Sequence, residues 1–367
     1  LKQCSTSLSV ILTAMVVRIH SDGVAKSTRV IRGRWLPRVA RLLIAIGIAL
    51  ALTTFSFTPH FDASGQRTVV GLRSKVALKN RACKAAENLL TSIGATLPPS
   101  SMKGKIVVVK YGGHAMKDEA GFAADLVALQ ALGVRPVVVH GGGPQIKAML
   151  EKLDMPSKFV DGLRVSDKAT VEVAEMVLGR LNKGLVASIV AVGGRAVGLT
   201  GKDDGMIKVR RVFADGGADI GYVGEAEHID ASLLKTLLSM SPPVIPVIAP
   251  IGIGTDDGET YNINADTMAG TVAGAIGAAR LLLLTDVPGV LDGAPPAGKL
   301  IPKVTKPQVD KLIADGIVYG GMIPKLQNAV QAVDAGAGGA AIVDGREKHA
   351  IFRALYTTEG GTLVEPS

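Results

Sequence analysis

Short β-branched runs that stop at glycine pairs or triplets and give way to helical patterns recur along residues 105–345, and this alternation most constrains the fold. Residues 105–110 (KIVVVK) run into Gly112-Gly113, and residues 135–140 (RPVVVH) into Gly141-Gly142-Gly143. Residues 244–249, 281–285 and 340–343 read as further strands. Helical spacing of apolar residues predicts helices over 119–132, 144–153, 167–181, 264–279 and 321–335. Repeated strand–glycine–helix units imply an α/β fold whose mostly parallel sheet has helices on both faces. Such sheets take ligands at the carboxyl ends of their strands, so the informative residues should stand just after strands.

Charge divides the chain in two. Residues 1–100 hold 14 Lys and Arg against 3 Asp and Glu; residues 101–367 hold 27 against 29. The overall excess of +9 is therefore a property of the leader, and it gives no support to nucleic-acid binding by the body. The two cysteines, Cys4 and Cys83, have no metal or disulfide spacing.

Residues 1–70 are basic, rich in Ser and Thr, and contain only Asp22 and Asp62 as acids, the composition of an organelle transit peptide. A membrane anchor is the competing reading, since residues 42–52 are wholly apolar. Eleven residues reach only about 16 Å as a helix against about 30 Å of hydrocarbon, and Thr53, Thr54, Ser56, Pro59 and His60 then dilute the run. A cleaved transit peptide is the expectation. Residues 75–93 predict a helix with one apolar stripe, followed by a linker to residue 100.

Lys110-Tyr111-Gly112-Gly113 sets a lysine beside two glycines whose amides can approach an anion closely; a plain turn with a solvated lysine fits the same residues. The pattern is neither GxxxxGK[ST] nor GxGxxG. In His140-Gly141-Gly142-Gly143-Pro144-Gln145, three glycines ahead of a helix that opens with proline suit an amide-lined anion cup, or else a flexible loop. Two cups on successive strands suit two anionic ligands that meet, as phosphoryl transfer to an acid requires. Arg164, on a turn in DGLRVS, can grip a carboxylate with two parallel hydrogen bonds or be a surface arginine. In YNINAD at 261–266, helix capping explains Asn264 and Asp266 but not Asn262. Thr285, Asp286 and Gly289 follow a buried strand and suit a nucleotide cradle. Gly320-Gly321-Met322-Ile323-Pro324-Lys325 opens another helix with a second isolated lysine. His114, His140, His228 and His349 show no paired metal spacing, and no metal ligands are expected.

Taken in order, KYGG at 110–113, HGGGPQ at 140–145, DGLRVSD at 161–167, YNINAD at 261–266, LLTDVPGVL at 283–291 and GGMIPK at 320–325 resemble the amino-acid kinase family, and within it the members acting on N-acetyl-L-glutamate. The resemblance runs from about residue 103 to the C-terminus. It implies an open αβα sandwich of two lobes, with 101–279 holding the acyl-amino acid and 280–367 holding ATP, whose phosphates bring Mg²⁺. It implies that Lys110 and Lys325 stabilise the transferring phosphoryl group from opposite lobes, with Asp266 organising them. Gly141, Gly142, Arg164 and Asn262 are then substrate contacts, and Gly112, Gly113, Thr285, Asp286, Gly289, Val318, Tyr319, Gly321 and Met322 nucleotide contacts. A carboxylate nucleophile is already ionised at pH 7, its reference pKa being about 4.3, so no general base is needed. The same resemblance implies feedback by arginine through Arg280, His349, Glu359 and Gly361, and a homo-oligomer (dimer or hexamer) linked by the helix at 75–93. It also brings in the PII signal protein, a partner of plastid relatives, and a plastid stromal location; neither nucleic acid nor a membrane is an expected partner. Two departures stand out: LPPSSMKGK replaces the aromatic residues of arginine-inhibited relatives, and His114 follows KYGG where relatives have a small or amide residue.

Overall fold

The computed structural model describes residues 82–113, 116, 118–293, 298–358 and 360–366. The expected transit segment, residues 75–81 of the expected first helix, His114 and Glu359 lie outside the described residues. Leu72–Ser367 form one compact unit.

Residues 82–92 are helical (α1). β1 (Ile106–Tyr111), α2 (Glu119–Ala131), β2 (Arg135–His140) and α3 (Gly143–Lys152) follow. A two-residue hairpin, β3 (Phe159–Val160) with β4 (Leu163–Arg164), leads to the long α4 (Lys168–Ala191) and to β5 (Ala196–Thr200). Then come β6 (Ile207–Phe213), β7 (Asp219–Ile229), α5 (Ser232–Ser239), β8 (Ile245–Ala249), β9 (Ile251–Gly254) and β10 (Thr260–Ile263). The last third comprises α6 (Ala265–Ala275), β11 (Arg280–Thr285), β12 (Lys303–Thr305), α7 (Lys306–Ala314), α8 (Met322–Asp334), β13 (Ala340–Asp344), α9 (Ala350–Tyr356) and β14 (Thr362–Glu365).

Eight strands form one sheet in the order β12-β14-β13-β11-β1-β2-β8-β5. From β13 to β5 every neighbouring pair is parallel, and β14 runs antiparallel to β13. Because side chains alternate along a strand, each central strand feeds two cores. Val108, Leu281, Leu283 and Ile342 pack on one face against Met268, Val272, Leu326 and Ala329 from α6 and α8. Val107, Val109, Leu282 and Leu284 pack on the other against Phe122, Leu126, Phe352 and Tyr356 from α2 and α9. This is the expected αβα sandwich. The expected lobe boundary at 279/280 falls between β1 and β11, which pair directly from Val107↔Arg280 to Lys110↔Leu283. The two halves are therefore joined through one continuous sheet.

Three features differ from the sequence expectation. The helix expected to end at 181 continues to Ala191, because Asn182 satisfies its amide inside the core while Leu185 and Ile189 prolong the apolar stripe. The helix expected to reach 279 stops at Ala275, and Gly277 takes a left-handed φ of 62° just after it. Between 207 and 263, β6, β7, β9 and β10 close into a small barrel that the sequence did not announce. β6 and β7 mix charged and apolar residues and their register shifts twice, which blurs the alternation, while β9 and β10 are only four residues each.

Candidate active site

The carboxyl ends of β1 and β2 lie side by side, and their glycine loops touch. A Cβ on Gly112 would stand 3.2 Å from the Gly141 nitrogen, tighter than a side chain ordinarily sits, so the two backbones approach closely. Gly142 is equally confined: a Cβ there would stand 2.8 Å from Leu178 and Leu181 of α4. A Cβ on Gly141 would lie 3.7 Å from Ala265, the first residue of α6, so that helix start joins the same cluster.

The hydrogen bonds of the second loop explain what it offers. The Gly141 carbonyl faces the His140 Nδ1 at 3.0 Å. The Gly142 carbonyl accepts from the Ile146 amide at 2.8 Å, and the Gly143 carbonyl from Arg164 Nη2 at 3.0 Å. The Gly141 amide donates to the Tyr111 carbonyl at 2.8 Å. All three carbonyls are thus engaged, while the first amides of α3 have no intrahelical acceptor. The loop presents N–H groups and the positive end of a helix, which is an anion site.

Arg164 is 6% exposed. Its guanidinium donates to Ser157 Oγ and the Gly143 carbonyl, and lies 4.6 Å over the Phe159 ring of the hairpin. Burial lowers its pKa from the ordinary value. Among the described residues it has no carboxylate partner, so a buried cation stands beside the amide cup with only neutral groups around it. A ligand carboxylate would supply the missing charge.

Strand alternation turns Lys110 and Tyr111 to opposite faces. Lys110 Nζ lies 2.9 Å from Oδ1 of Asp266, with side chains 12% and 16% exposed. The pair is electrostatic in character, for that oxygen finds no donor in hydrogen-bond alignment. Asn264 caps α6 through Oδ1, which accepts from the Asp266 and Thr267 amides at 2.8 and 3.3 Å. This sets Asp266 in the first turn. Asn262, half-buried on β10, makes no side-chain hydrogen bond among the described residues.

α6 and α8 lie side by side with their starts together: Thr267 meets Asn328, Gly270 meets Ala332, and Gly274 meets Ala335. Lys325, one turn before Asn328, therefore stands on α8 at the same end of the sheet as Asp266. It is half-buried and makes no ion pair among the described residues. Lys110 and Lys325 thus stand on elements that share one sheet and the helical layer packed on it.

Thr285 ends β11, the strand beside β1, and its hydroxyl is spent on backbone, toward the Val287 and Val343 carbonyls. Gly289 is fixed by the close approach of Thr362. Val318 is buried, Tyr319 is 64% exposed, and Gly321 and Met322 open α8. Of the residues expected to hold arginine, Arg280, His349 and Gly361 are described. Arg280 opens β11 and donates to the Ala279 and Gly338 carbonyls at the amino end of the sheet. His349 follows the turn after the carboxyl end of β13 and pairs with the buried Asp125 at 2.8 Å. A strand length of about 16 Å separates those two levels. Gly361 packs against Ile342 and Val343.

Sequence reasoning passed over two groups that the structure brings into the site: the His140 side chain and Asn182. The signal was an amide in the middle of an otherwise apolar helix stripe.

Residues 105–344 match the model of the amino acid kinase family. The acetylglutamate kinase of Novosphingobium aromaticivorans is 51% identical over 280 residues, spanning 71% of this chain and 90% of that protein. The acetylglutamate kinase of Erythrobacter litoralis is 53% identical over 275 residues, again 71% and 90%. Among solved structures, N-acetylglutamate synthase from Neisseria gonorrhoeae, complexed with coenzyme A and N-acetyl-glutamate, aligns with a TM-score of 0.65 at 22% identity. That alignment covers 77% of this chain and 63% of the synthase chain, and it speaks to the fold alone.

Proposed function

The chain belongs to the amino acid kinase family, and from that premise we propose that it transfers the γ-phosphoryl group of ATP to the side-chain carboxylate of N-acetyl-L-glutamate. The product is the acyl phosphate, a step of arginine biosynthesis. The observation that supports this reading best is the buried Arg164 guanidinium beside a loop whose carbonyls are all turned into bonds. An acid bearing a second carboxylate is the ligand such a pair of groups suits.

In this reading Arg164 grips the carboxylate that does not react, with Asn262 as a further polar contact. The reacting carboxylate faces the amide cup. It needs no base, being ionised at neutral pH. The barrier is the approach of one anion to another, and Lys110, the loop amides and Lys325 lower it by holding positive charge where negative charge accumulates. Asp266 keeps the Lys110 ammonium aimed into the site. Thr285, Asp286, Gly289 and the Val318–Met322 segment cradle the nucleotide. Mg²⁺ would arrive with the ATP phosphates. When bound there it would screen phosphate charge.

The finer proposals rest on the resemblance: feedback by arginine, assembly as dimer or hexamer, PII as partner, and a plastid location supported by the composition of residues 1–70. With Arg280 and His349 on different levels of the sheet, a bound arginine would use one of them, not both.

Hydroxylamine trapping tests the central proposal. Hydroxamate should form with ATP and N-acetyl-L-glutamate, and not with aspartate, carbamate or free glutamate at equal concentration. Hydroxamate from another acid in preference would overturn the assignment.

A further inference from the structure

His140 is fully buried at the end of β2, in direct chain contact with the glycine loop. Its Nδ1 stands 3.0 Å from the Gly141 carbonyl and its Nε2 3.2 Å from Asn182 Nδ2. The orientation of Asn182 is set independently, because the same Nδ2 donates to the Val247 carbonyl of β8 at 2.9 Å. An amide nitrogen only donates, so Nε2 must accept. The ring proton is then on Nδ1, where it donates to the Gly141 carbonyl. Both ring nitrogens are used, and the neutral tautomer is dictated by its surroundings. Lys183, next on α4, spends its ammonium on the Gly198 carbonyl. Burial lowers the His140 pKa, in keeping with a ring that stays neutral.

The Gly141 carbonyl would otherwise compete with the cup: turned about, a carbonyl oxygen would face the acid in place of an N–H group. We infer that His140 is a positioning residue for the acid half of the site: its Nδ1–H holds the Gly141 carbonyl out of the cup, and Asn182 fixes the tautomer that makes this possible. The inference rests on the proposed acid substrate for its kinetic consequence, but its chemistry is readable without substrate. It also gives α4 a role in the site, for Asn182, Leu178 and Leu181 together seat the loop from one helix face.

Two variants separate this role from core packing. The amide of His140→Asn can reproduce the Nδ1 donor, whereas that of His140→Gln reaches only toward the Nε2 position. His140→Gln should raise KM for N-acetyl-L-glutamate about tenfold, the scale of one lost hydrogen bond, with KM for ATP unchanged. His140→Asn should recover most of that loss. Equal impairment of the two variants, or a parallel rise in KM for ATP, would overturn the inference. If either variant fails to fold, the native chain decides by ¹⁵N-histidine NMR. One histidine should hold its proton on Nδ1 and stay neutral well below the ordinary midpoint of about 6.5. If every histidine carries its neutral proton on Nε2, or titrates near that midpoint, the inference fails. That spectrum is read without ligand, so a chain inactive on N-acetyl-L-glutamate would sink the proposed function and leave this measurement standing.

Discussion

The two halves of the site, the one proposed for the acid and the one proposed for the nucleotide, are built differently. Around β1 and β2 the groups hold one another: Lys110 has Asp266, Arg164 has Ser157 and Gly143, and each loop carbonyl has its donor. Around α8 they do not: Lys325 lacks an ion pair among the described residues, Tyr319 stands in solvent, and Gly321 has open space where a side chain would go. The acid half is preorganised, and its geometry is set before any ligand arrives. In the proposed nucleotide half Lys325 makes no side-chain hydrogen bond or ion pair among the described residues, whereas Arg164, also without a carboxylate, is held by Ser157 and Gly143. An arrangement of this kind puts fixed charge at the reacting carboxylate and adaptable charge at the phosphate tail.

The largest effect should come from the fixed lysine. Lys110→Met should lower kcat by roughly 10²–10³, the scale for one preorganised electrostatic donor, with both KM values little changed. Lys325→Met should also lower turnover, but only Lys110→Met should cost stability, about 1–3 kcal/mol, by leaving Asp266 unpaired. Equal melting temperatures for the two variants would break the contrast between halves. Next in size, Arg164→Lys keeps the charge but loses the fork. KM for the acid should rise by about 1.5–3 kcal/mol in free-energy terms while KM for ATP holds. A matching loss of ATP affinity would place Arg164 in the wrong half.

The glycines offer a finer comparison. Gly112→Ala must push its own backbone away from that of Gly141, since its Cβ would stand 3.2 Å from the Gly141 nitrogen; Gly321→Ala meets nothing within 4 Å. The first should reduce turnover and stability by about 1–3 kcal/mol; the second should leave stability within about 0.5 kcal/mol. The smallest effect concerns pH. Burial lowers the His140 pKa, so the unfolded chain takes up a proton near about 6.5 while the folded ring does not. Its contribution is complete above that value and is lost as pH falls toward the folded midpoint. Asp125, with its pKa raised chiefly by burial, acts in the opposite sense as pH rises from about 3.8. The difference in stability slope between the native chain and His140→Asn isolates the histidine, and no difference below pH 6.5 would contradict its neutral burial.

Much of the central sheet was legible because its strands are buried on both faces and read as unbroken Val, Ile and Leu runs ended by glycine. The site loops were legible for the same reason: ligands sit where such strands end. The barrel of β6, β7, β9 and β10 was not, since β6 and β7 interleave charge with apolar residues and bend at register shifts, and β9 and β10 are four residues each. Asn182 fell just past the expected end of its helix, and its partners, His140 and Val247, lie 42 and 65 residues away along the chain. Spacing along a sequence shows which residues share a face, and it does not show which distant carbonyl satisfies a buried amide. For Arg164, the motif suggested a carboxylate grip; only the fold reveals that its neighbours are neutral.

Isotope transfer tests the chemistry most directly. N-acetyl-L-glutamate labelled with ¹⁸O in both oxygens of its side-chain carboxylate is incubated with ATP and excess hydroxylamine, and the released phosphate is read by ³¹P NMR. If the substrate carboxylate attacks the γ-phosphorus, hydroxylamine then cleaves at the acyl carbon and each released phosphate keeps one ¹⁸O. Phosphate free of label would mean that water, not the carboxylate, had taken the phosphoryl group, and a site built to receive that carboxylate would be contradicted.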